Sequence, residues 1–404
     1  MDEITSALQQ MYEQFPYPGR SAPAQRVGWD VNLLLSYGAR APNNKKLKVL
    51  DAGCGRGVGI LGAAALQPDV TFVGVDINRV GLAEAKEQAK NRKLENVTFQ
   101  EVDLTTLEGL EVPPGGFDAI FSSGVVHHMP DPVAGLSALA SALAPHGMLQ
   151  LMIYGKRGRE PLYRMVRAMD NLLPREYPLA ERLLVARQLA QSVTTDALTQ
   201  GPFADIRSIG DTEFVDRYLN VHERSYTVPE AFDLVAESNL KFLRWSEPGD
   251  WDFAKIVSNP PLAELAARLP EQDRFAMVEE LAFRPKLEMV LCAPGNGPRA
   301  PLSGQELAES SLLVNPEVSF ITTTRSVPAG ARVEDLKVRI RTSEPRGFES
   351  GLVSSALLFL KDQRGAFRGK ELVSLLGKNG VSTSMAQQLL ADLVGIDILY
   401  VPHA

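Results

Sequence analysis

Between residues 45 and 153 short apolar runs alternate with stretches whose apolar residues recur at helical spacing. Residues 47–50, 71–75, 97–102, 118–122 and 148–154 are short, apolar and bounded by Gly, Asp or Asn, and read as strands. Residues 58 to about 67, 79 to about 92 and 132 to 144 carry the longer helical period between them. Strands separated by helices of this length predict a parallel sheet with right-handed crossovers. In such a sheet ligands bind beyond the carboxyl ends of the strands, where Asp51, Asp76, Asp103 and residues 122–128 fall.

The pattern changes after the fifth strand. Leu162, Met165, Val166, Met169, Leu172 and Leu173 recur at helical spacing with arginines on the other face. Residues 156–187 hold eight basic and four acidic side chains, either a solvated helix face or an electrostatic guide for an acidic acceptor or partner. Residues 188–245 are largely helical, and Thr227, Pro229 and Glu230 mark a helix start with a capping box. Strand-like runs at 241–245 and 286–292, with a helix from 262 to about 284 between them, add an edge hairpin and bring the sheet to seven strands. Glycines and prolines over 295–304 read as a linker.

Residues 305–404 begin with strands at 318–323 and 336–341, continue with helices at 354–361, 369–376 and 383–394, and close on a strand at 398–401. This order predicts a smaller α+β, winged-helix-like domain. Its last part, 351–404, holds five basic and four acidic side chains, too balanced for a phosphate-binding face, so protein interaction or homodimerisation is expected there rather than DNA binding. The expected organisation is a cap or lid over 1–40, a core over 41–155, a helical insertion over 156–240, completion of the sheet over 241–294, and a regulatory or interaction domain over 305–404.

Composition narrows the class. With 404 residues, 45% of them hydrophobic and 23% charged, the chain is an ordinary globular protein of two or three units. No apolar run reaches the roughly 18 residues needed to span a bilayer. The opening MDEITSALQQ is acidic and polar, unlike a secretory signal, so a cytoplasmic protein is expected. Cys54 and Cys292 belong to no metal-ligand cluster, and the net charge of −7 counts against a dedicated nucleic-acid binder.

The chemistry concentrates in residues 48–60, KVLDAGCGRGVGI, where a strand ends in Asp51 and runs into glycines. Such a turn brings backbone N–H groups and a helix N-terminus close to a ligand. The dinucleotide fingerprint fails here: counted from Gly53 its third small residue would be Val58, and the formal match from Gly57 begins six residues beyond the strand. What remains is D-x-G-C-G-x-G followed by Asp76 at the next strand end, an acidic residue at the spacing that ribose recognition needs. This pattern resembles the core of class I S-adenosylmethionine (SAM) dependent methyltransferases. The resemblance implies that Asp51 lies near the amino-acid part of SAM, that Asp76 takes the ribose hydroxyls, that Asp103, with Leu104 beside it, accepts from the adenine amino group, and that Gly53, Cys54, Gly55 and Ile77 also bind the cofactor. Asp103 reads equally as a helix N-cap.

The stretch 117–132, FDAIFSSGVVHHMPDP, resembles the segment after the fourth strand of the same enzymes, where Ser123 and Gly124 would pass the methionine moiety. Methyl transfer is an in-line displacement that leaves the acceptor a free lone pair, and an amine or hydroxyl can need a base. His128, and after it His127, are the candidates; the alternative is one histidine as a structural hydrogen-bonder and the other packed. Upstream, MYEQFPYPGR at 11–20 is kept extended by Pro16 and Pro18. It reads either as a surface strap with packed aromatics or as a lid, with Tyr17 on the acceptor side. A similar segment precedes the core in a group of bacterial methyltransferases. The run DRYLN…RSYTVPE also resembles that group, which makes Asp216, Arg217, Tyr218, Arg224 and foremost Tyr226 acceptor candidates.

Together these segments resemble bacterial class I SAM-dependent methyltransferases with a C-terminal regulatory region, a group that includes protein-lysine methyltransferases. The resemblance implies methyl transfer from SAM to a protein side chain, lysine. A small-molecule O- or N-methyltransferase and a SAM-sensing module without catalysis are the alternatives. A nucleic-acid acceptor is disfavoured, because the position of an N/D-P-P-Y/F motif reads S-S-G-V.

Overall fold

The computed structural model describes residues 2–19, 30–42, 46–194, 203–326, 332–340, 346–347 and 351–403. The chain forms two compact units, one of Met1–Arg26 with Asn44–Gly297 and the other of Val27–Asn43 with Pro298–Ala404.

The first unit is built on a seven-stranded sheet of order β3-β2-β1-β4-β5-β7-β6. Its strands are β1 Lys48–Ala52, β2 Thr71–Asp76, β3 Val97–Glu101, β4 Phe117–Ser123, β5 Leu143–Tyr154, β6 Lys241–Trp245 and β7 Lys286–Cys292. β1 to β5 pair in parallel, and β7 runs antiparallel between β5 and β6. This is the predicted mixed α/β, Rossmann-like methyltransferase sheet. Val49, Leu50, Ala119, Ile120, Leu149 and Leu151 are fully buried, because helices cover both faces, which is why the strands read as unbroken apolar runs. The strand order reverses between β1 and β4, so a crevice opens beyond their carboxyl ends. Helices leave that crevice with good caps: Asn78 accepts from the Gly81 N–H at 3.0 Å, and Asp131 accepts from that of Ala134 at 2.9 Å. The capping box of Thr227 and Glu230 is present as predicted.

Three boundaries differ from the sequence reading. The helix expected over 132–144 stops at Ala142, and β5 begins at Leu143 with its partner register shifted between Phe117 and Ala119. The helix expected over 262–284 is two, Pro260–Ala267 and Glu271–Leu281, because Pro270 has no N–H to continue the first. In the insertion helix Lys156–Leu172, Leu162, Met165 and Met169 are buried as expected, whereas Leu172, at its last turn, is exposed. Leu162, Met165 and Met169 form a satellite cluster with Leu8 and Met11 of the N-terminal helix Glu3–Gln14 and with Phe214, Val215 and Tyr218.

In the second unit β8 Ser311–Val314 lies between β12 Phe367–Arg368 and β13 Leu399–Tyr400, and β9 Val318–Ser326, β10 Arg332–Ile340 and β11 Arg346–Gly347 form another small sheet. Helices Gly351–Lys361, Gly369–Lys378 and Thr383–Gly395 pack Leu357, Leu372, Leu376 and Leu390 onto Leu312 and Leu399. The short helix Val31–Ser36 belongs here rather than to a continuous N-terminal cap. Val31 and Leu33 to Leu35 are all buried; Asp30 caps the helix and accepts from the Tyr400 hydroxyl at 3.3 Å, and His403 Nε2 meets the carbonyls of Leu35 and Gly38. Among the described residues no helix is long and apolar enough to cross a membrane, and no cluster of His, Cys, Asp and Glu could hold a metal ion.

Candidate active site

The glycine turn after β1 is held from below. The N–H groups of Gly53 and Cys54 both donate to the Val75 carbonyl, at 2.8 and 2.9 Å, and that of Gly55 donates to Asp76 Oδ2 at 2.7 Å. Gly53 has φ +88°, and a Cβ there would lie 2.2 Å from Val125 Cγ2. A Cβ on Gly55 would lie 2.8 Å from the carbonyl oxygen of Tyr17, so the Pro-rich segment rests on the turn itself. Arg56 secures that segment by donating to the Pro18 carbonyl at 2.8 Å. Helix Glu3–Gln14 is tied to the end of β2 by Gln9 Nε2 on the Ile77 carbonyl (2.7 Å) and by Asn78 Nδ2 on that of Tyr12 (3.1 Å).

Three carboxylates stand at the strand ends. Asp51 is buried with Oδ2 unpartnered, and its pKa is driven well above the carboxylate range by burial and then by the charge of Asp76. Asp76 takes N–H groups from Gly55 and Asn78; burial raises its pKa and these bonds oppose the rise. Asp103 Oδ1 accepts from the Thr105 N–H at 2.9 Å in a turn; no helix follows before β4, so the N-cap reading does not hold, and Leu104 is in the main core. The Cys54 thiol is buried beneath the turn, where burial and the two aspartates push its pKa up, an inert setting. Gly124 has φ +79° and donates to the Met152 carbonyl at 3.1 Å; Ser123 is the exposed end of β4, and the Ser122 hydroxyl below it is buried without a partner.

The segment after β4 opens into a buried aromatic and charged cluster. The His127 ring lies 3.9 Å from that of Tyr154 and 4.2 Å from that of His128. The Arg159 guanidinium stacks on the Tyr154 ring at 3.5 Å and pairs with Glu223 at 3.3 Å, and the Tyr163 hydroxyl donates to Glu223 at 2.5 Å. His128 Nδ1 is 2.9 Å from the His222 carbonyl and His222 Nδ1 is 2.9 Å from the His128 carbonyl. A carbonyl only accepts, so both Nδ1 atoms carry protons. In neutral His128 this leaves Nε2 as a lone pair, and that atom is buried with no partner. Burial lowers the pKa of His127 strongly, with the His128 ring and Arg159 adding to it; burial also lowers that of His128, opposed by the charge of Glu223 and the bond to the His222 carbonyl. Asp216 is buried, its Oδ1 accepting from the Tyr12 hydroxyl at 3.0 Å, and Asn220 Nδ2 donates to that same hydroxyl at 3.2 Å. Burial, then the charge of Glu223, push the Asp216 pKa up to about 7.

The structure thus gathers His127, His128 and Asp216 with Tyr12 near the ends of β2 and β4. Of the other acceptor candidates, it sets the Tyr226, Tyr218, Arg217 and Arg224 side chains apart, although the Arg224 N–H donates to the His127 carbonyl at 2.8 Å. The Tyr226 ring is in the main core, its hydroxyl buried without a partner and its backbone bonded to Tyr154 and Lys156. Arg224 is exposed and stands 4.9 Å from that ring. Tyr218 packs in the insertion cluster, and Arg217 pairs with Glu213 and Asp205. Tyr17 is half-buried and close enough to Tyr154 to act on it electrostatically. Sequence reasoning missed Arg159, Tyr163 and Glu223. The available signal was the i, i+4 spacing of Arg159 and Tyr163 within a basic run.

Residues 43–169, spanning β1 to β5 and most of the first insertion helix, match a methyltransferase domain family. The chain is a class I SAM-dependent methyltransferase. Across 93% of its length the methyltransferase superposes on 75% of PKMT2 from Rickettsia typhi in complex with AdoHcy, with a TM-score of 0.67 and 17% identity. An uncharacterized Synechococcus sp. protein is 28% identical over 292 residues, 69% of each chain. The trans-aconitate 2-methyltransferase of Methylobacterium nodulans is 32% identical over 148 residues, which cover 37% of this chain and 52% of that enzyme.

SAM fits the cradle on its own terms. It carries a cationic amino acid, a ribose diol and a flat base, and the strand ends offer a buried, unpartnered Asp51 oxygen, the Asp76 carboxylate and a turn too narrow for a side chain at Gly53. When bound, SAM supplies a methyl group on a sulfonium centre. The methyltransferase itself must bind, orient and dry the acceptor beside that group.

Proposed function

We propose that the methyltransferase transfers the methyl group of SAM to a nitrogen of a protein side chain, lysine. The observation that carries this reading is the lining beyond the strand ends: two buried or nearly buried carboxylates, Asp216 and Glu223, with the rings of Tyr12 and Tyr154, against the single guanidinium of Arg159. Carboxylates and aromatic faces are the groups that draw an alkylammonium out of water. On this reading Asp51 faces the α-ammonium of SAM and Asp76 the ribose hydroxyls, while Asp103 and Leu104 take the adenine and Ser123 and Gly124 the methionine portion. Likeness of fold to PKMT2 agrees with a protein acceptor.

A small-molecule acceptor is the second reading, favoured by similarity to trans-aconitate 2-methyltransferase. A tricarboxylate, however, would meet repulsion from Asp216 and Glu223, which argues for the amine. Incubating the protein with methyl-tritiated SAM and a lysate of the source cell separates the two. Label is expected in the protein fraction, as methyllysine after hydrolysis; label confined to small molecules overturns the lysine reading.

A further inference from the structure

We infer that Asp216 is the proton acceptor for the incoming amine, positioned by Tyr12 from the N-terminal helix, with His128 Nε2 orienting the amine once it is neutral; this deepens the lysine reading and rests on it. A lysine arrives as an ammonium and has no lone pair to attack with. Two groups in the cluster could take its proton, and their electrostatics differ. Transfer to a histidine would leave a buried cation: at His127 burial, the His128 ring and Arg159 all oppose it, and at His128 burial outweighs the favourable charge of Glu223 and the bond to the His222 carbonyl. Transfer from the ammonium to the Asp216 carboxylate removes one positive and one negative charge together, so nothing charged is stranded in a medium that solvates charge poorly.

Geometry places Asp216 for this role. The Tyr12 hydroxyl, 3.0 Å from Oδ1, is fixed by Asn220 on one side, and the Tyr12 backbone is fixed to Asn78 beyond β2 on the other. The Tyr12 ring meets the His128 ring edge-on at 6.4 Å, which brings Asp216 beside the segment that follows β4. The unpartnered, buried Nε2 of His128 is the second mark of a missing ligand here, because a buried acceptor is left bare only at a cost.

The step balances. The ammonium gives a proton to Asp216, which becomes a neutral carboxylic acid, and one remaining N–H bonds to His128 Nε2. The nitrogen lone pair then forms the N–C bond as the C–S bond breaks, the electron pair staying on sulfur, and the product leaves as a methylammonium. Water takes the proton from Asp216 on product exit. The groups facing Asp216 set its titration: Glu223 and Glu213 raise it, the Tyr12 hydroxyl and Arg159 lower it, and Tyr154 faces it from β5.

The test uses the full chain, methyl-tritiated SAM and the protein fraction of a source-cell lysate freed of small molecules by gel filtration, with initial rates followed from mildly acid to alkaline pH. The wild type should gain activity through neutral pH as Asp216 loses its proton. Asp216→Asn should lose that limb and fall roughly 100-fold or more in rate, while calorimetry shows unaltered SAM binding. Tyr12→Phe keeps the carboxylate but removes a donor to its charged form, so its limb should move to higher pH. An Asp216→Asn enzyme with the wild-type rate and limb overturns the assignment and spares the lysine reading. Should that variant fail to fold, an unmoved limb in Tyr12→Phe overturns it instead. A wild type that labels no protein overturns both.

Discussion

Asp51 gives the sharpest single-residue prediction, because one atom there makes opposite demands on folding and on binding. Its Oδ2 is buried without a hydrogen-bond partner, and its pKa is well above the ordinary value of 3.8. A buried unsatisfied polar atom costs about 1–3 kcal/mol, and a charged one more. Asp51→Asn removes the charge while keeping the shape, so the SAM-free protein should gain on the order of 1 kcal/mol, which raises Tm by about 1–2 °C in a unit of this size. SAM should bind about 1.5–3 kcal/mol more weakly, the worth of a charge-assisted hydrogen bond. That is roughly 10- to 150-fold in Kd. The pH dependence follows with a definite sign. Above 3.8 and up to its raised folded-state pKa, Asp51 holds a proton that the unfolded chain has released, so this group's contribution to stability falls as pH rises through that window. A bound cation favours the carboxylate, so SAM binding releases a proton in the same window and tightens as pH rises. Thermal melts with and without SAM, and calorimetry in two buffers of different ionisation enthalpy, read all three effects. A less stable Asn variant with unchanged SAM affinity would refute the reasoning, since it would mean that the oxygen is already satisfied inside the fold.

Gly53→Ala should lose SAM binding and about 1–3 kcal/mol of stability, because the new Cβ meets Val125 Cγ2 at 2.2 Å on a backbone with φ +88°; calorimetry and melts check it, and the wild-type Kd in the variant would count against the turn as a cofactor cradle. Tyr226→Phe removes a buried hydroxyl with no partner and should leave methyl transfer intact while melting no lower than the wild type; a large loss of rate would return Tyr226 to the acceptor site. A chain ending at Gly297 should aggregate, since Val31 and Leu33 to Leu35 lose the unit that they belong to, whereas one that also replaces 27–43 by a flexible linker should stay monodisperse and bind SAM. Light scattering and calorimetry on the two distinguish these outcomes.

The sheet was legible because covered strands leave an unmistakable record: Val49, Leu50 and Ile120 are apolar on both faces, so no solvent-facing position interrupts the run. Asp51 and Asp76 were legible for a related reason, as polar residues at the carboxyl ends of apolar strands. Arg159 was not. In sequence it is one of several arginines on an amphipathic helix, and only the fold brings it to Glu223, 64 residues later, and onto the Tyr154 ring. The helix Val31–Ser36 was illegible in the same way. Its apolar residues need cover, and nothing local indicates that its cap Asp30 and the carbonyls of Leu35 and Gly38 meet Tyr400 and His403, more than 360 residues later.

That last pairing has a consequence for the order of events during synthesis. Domains fold as units while the chain emerges, the N-terminal part first. Residues 44–297 are complete well before Tyr400 is made, so the sheet can close and take SAM while Asp30 and the helix behind it still lack their partners. The second unit can be finished only when β13 reaches back to a segment translated some 370 residues earlier. Ribosomes stalled between the codons for Gly297 and Tyr400 should therefore display a folded cofactor domain with the helix Val31–Ser36 still unpartnered, and chaperones that bind such helices should be found there.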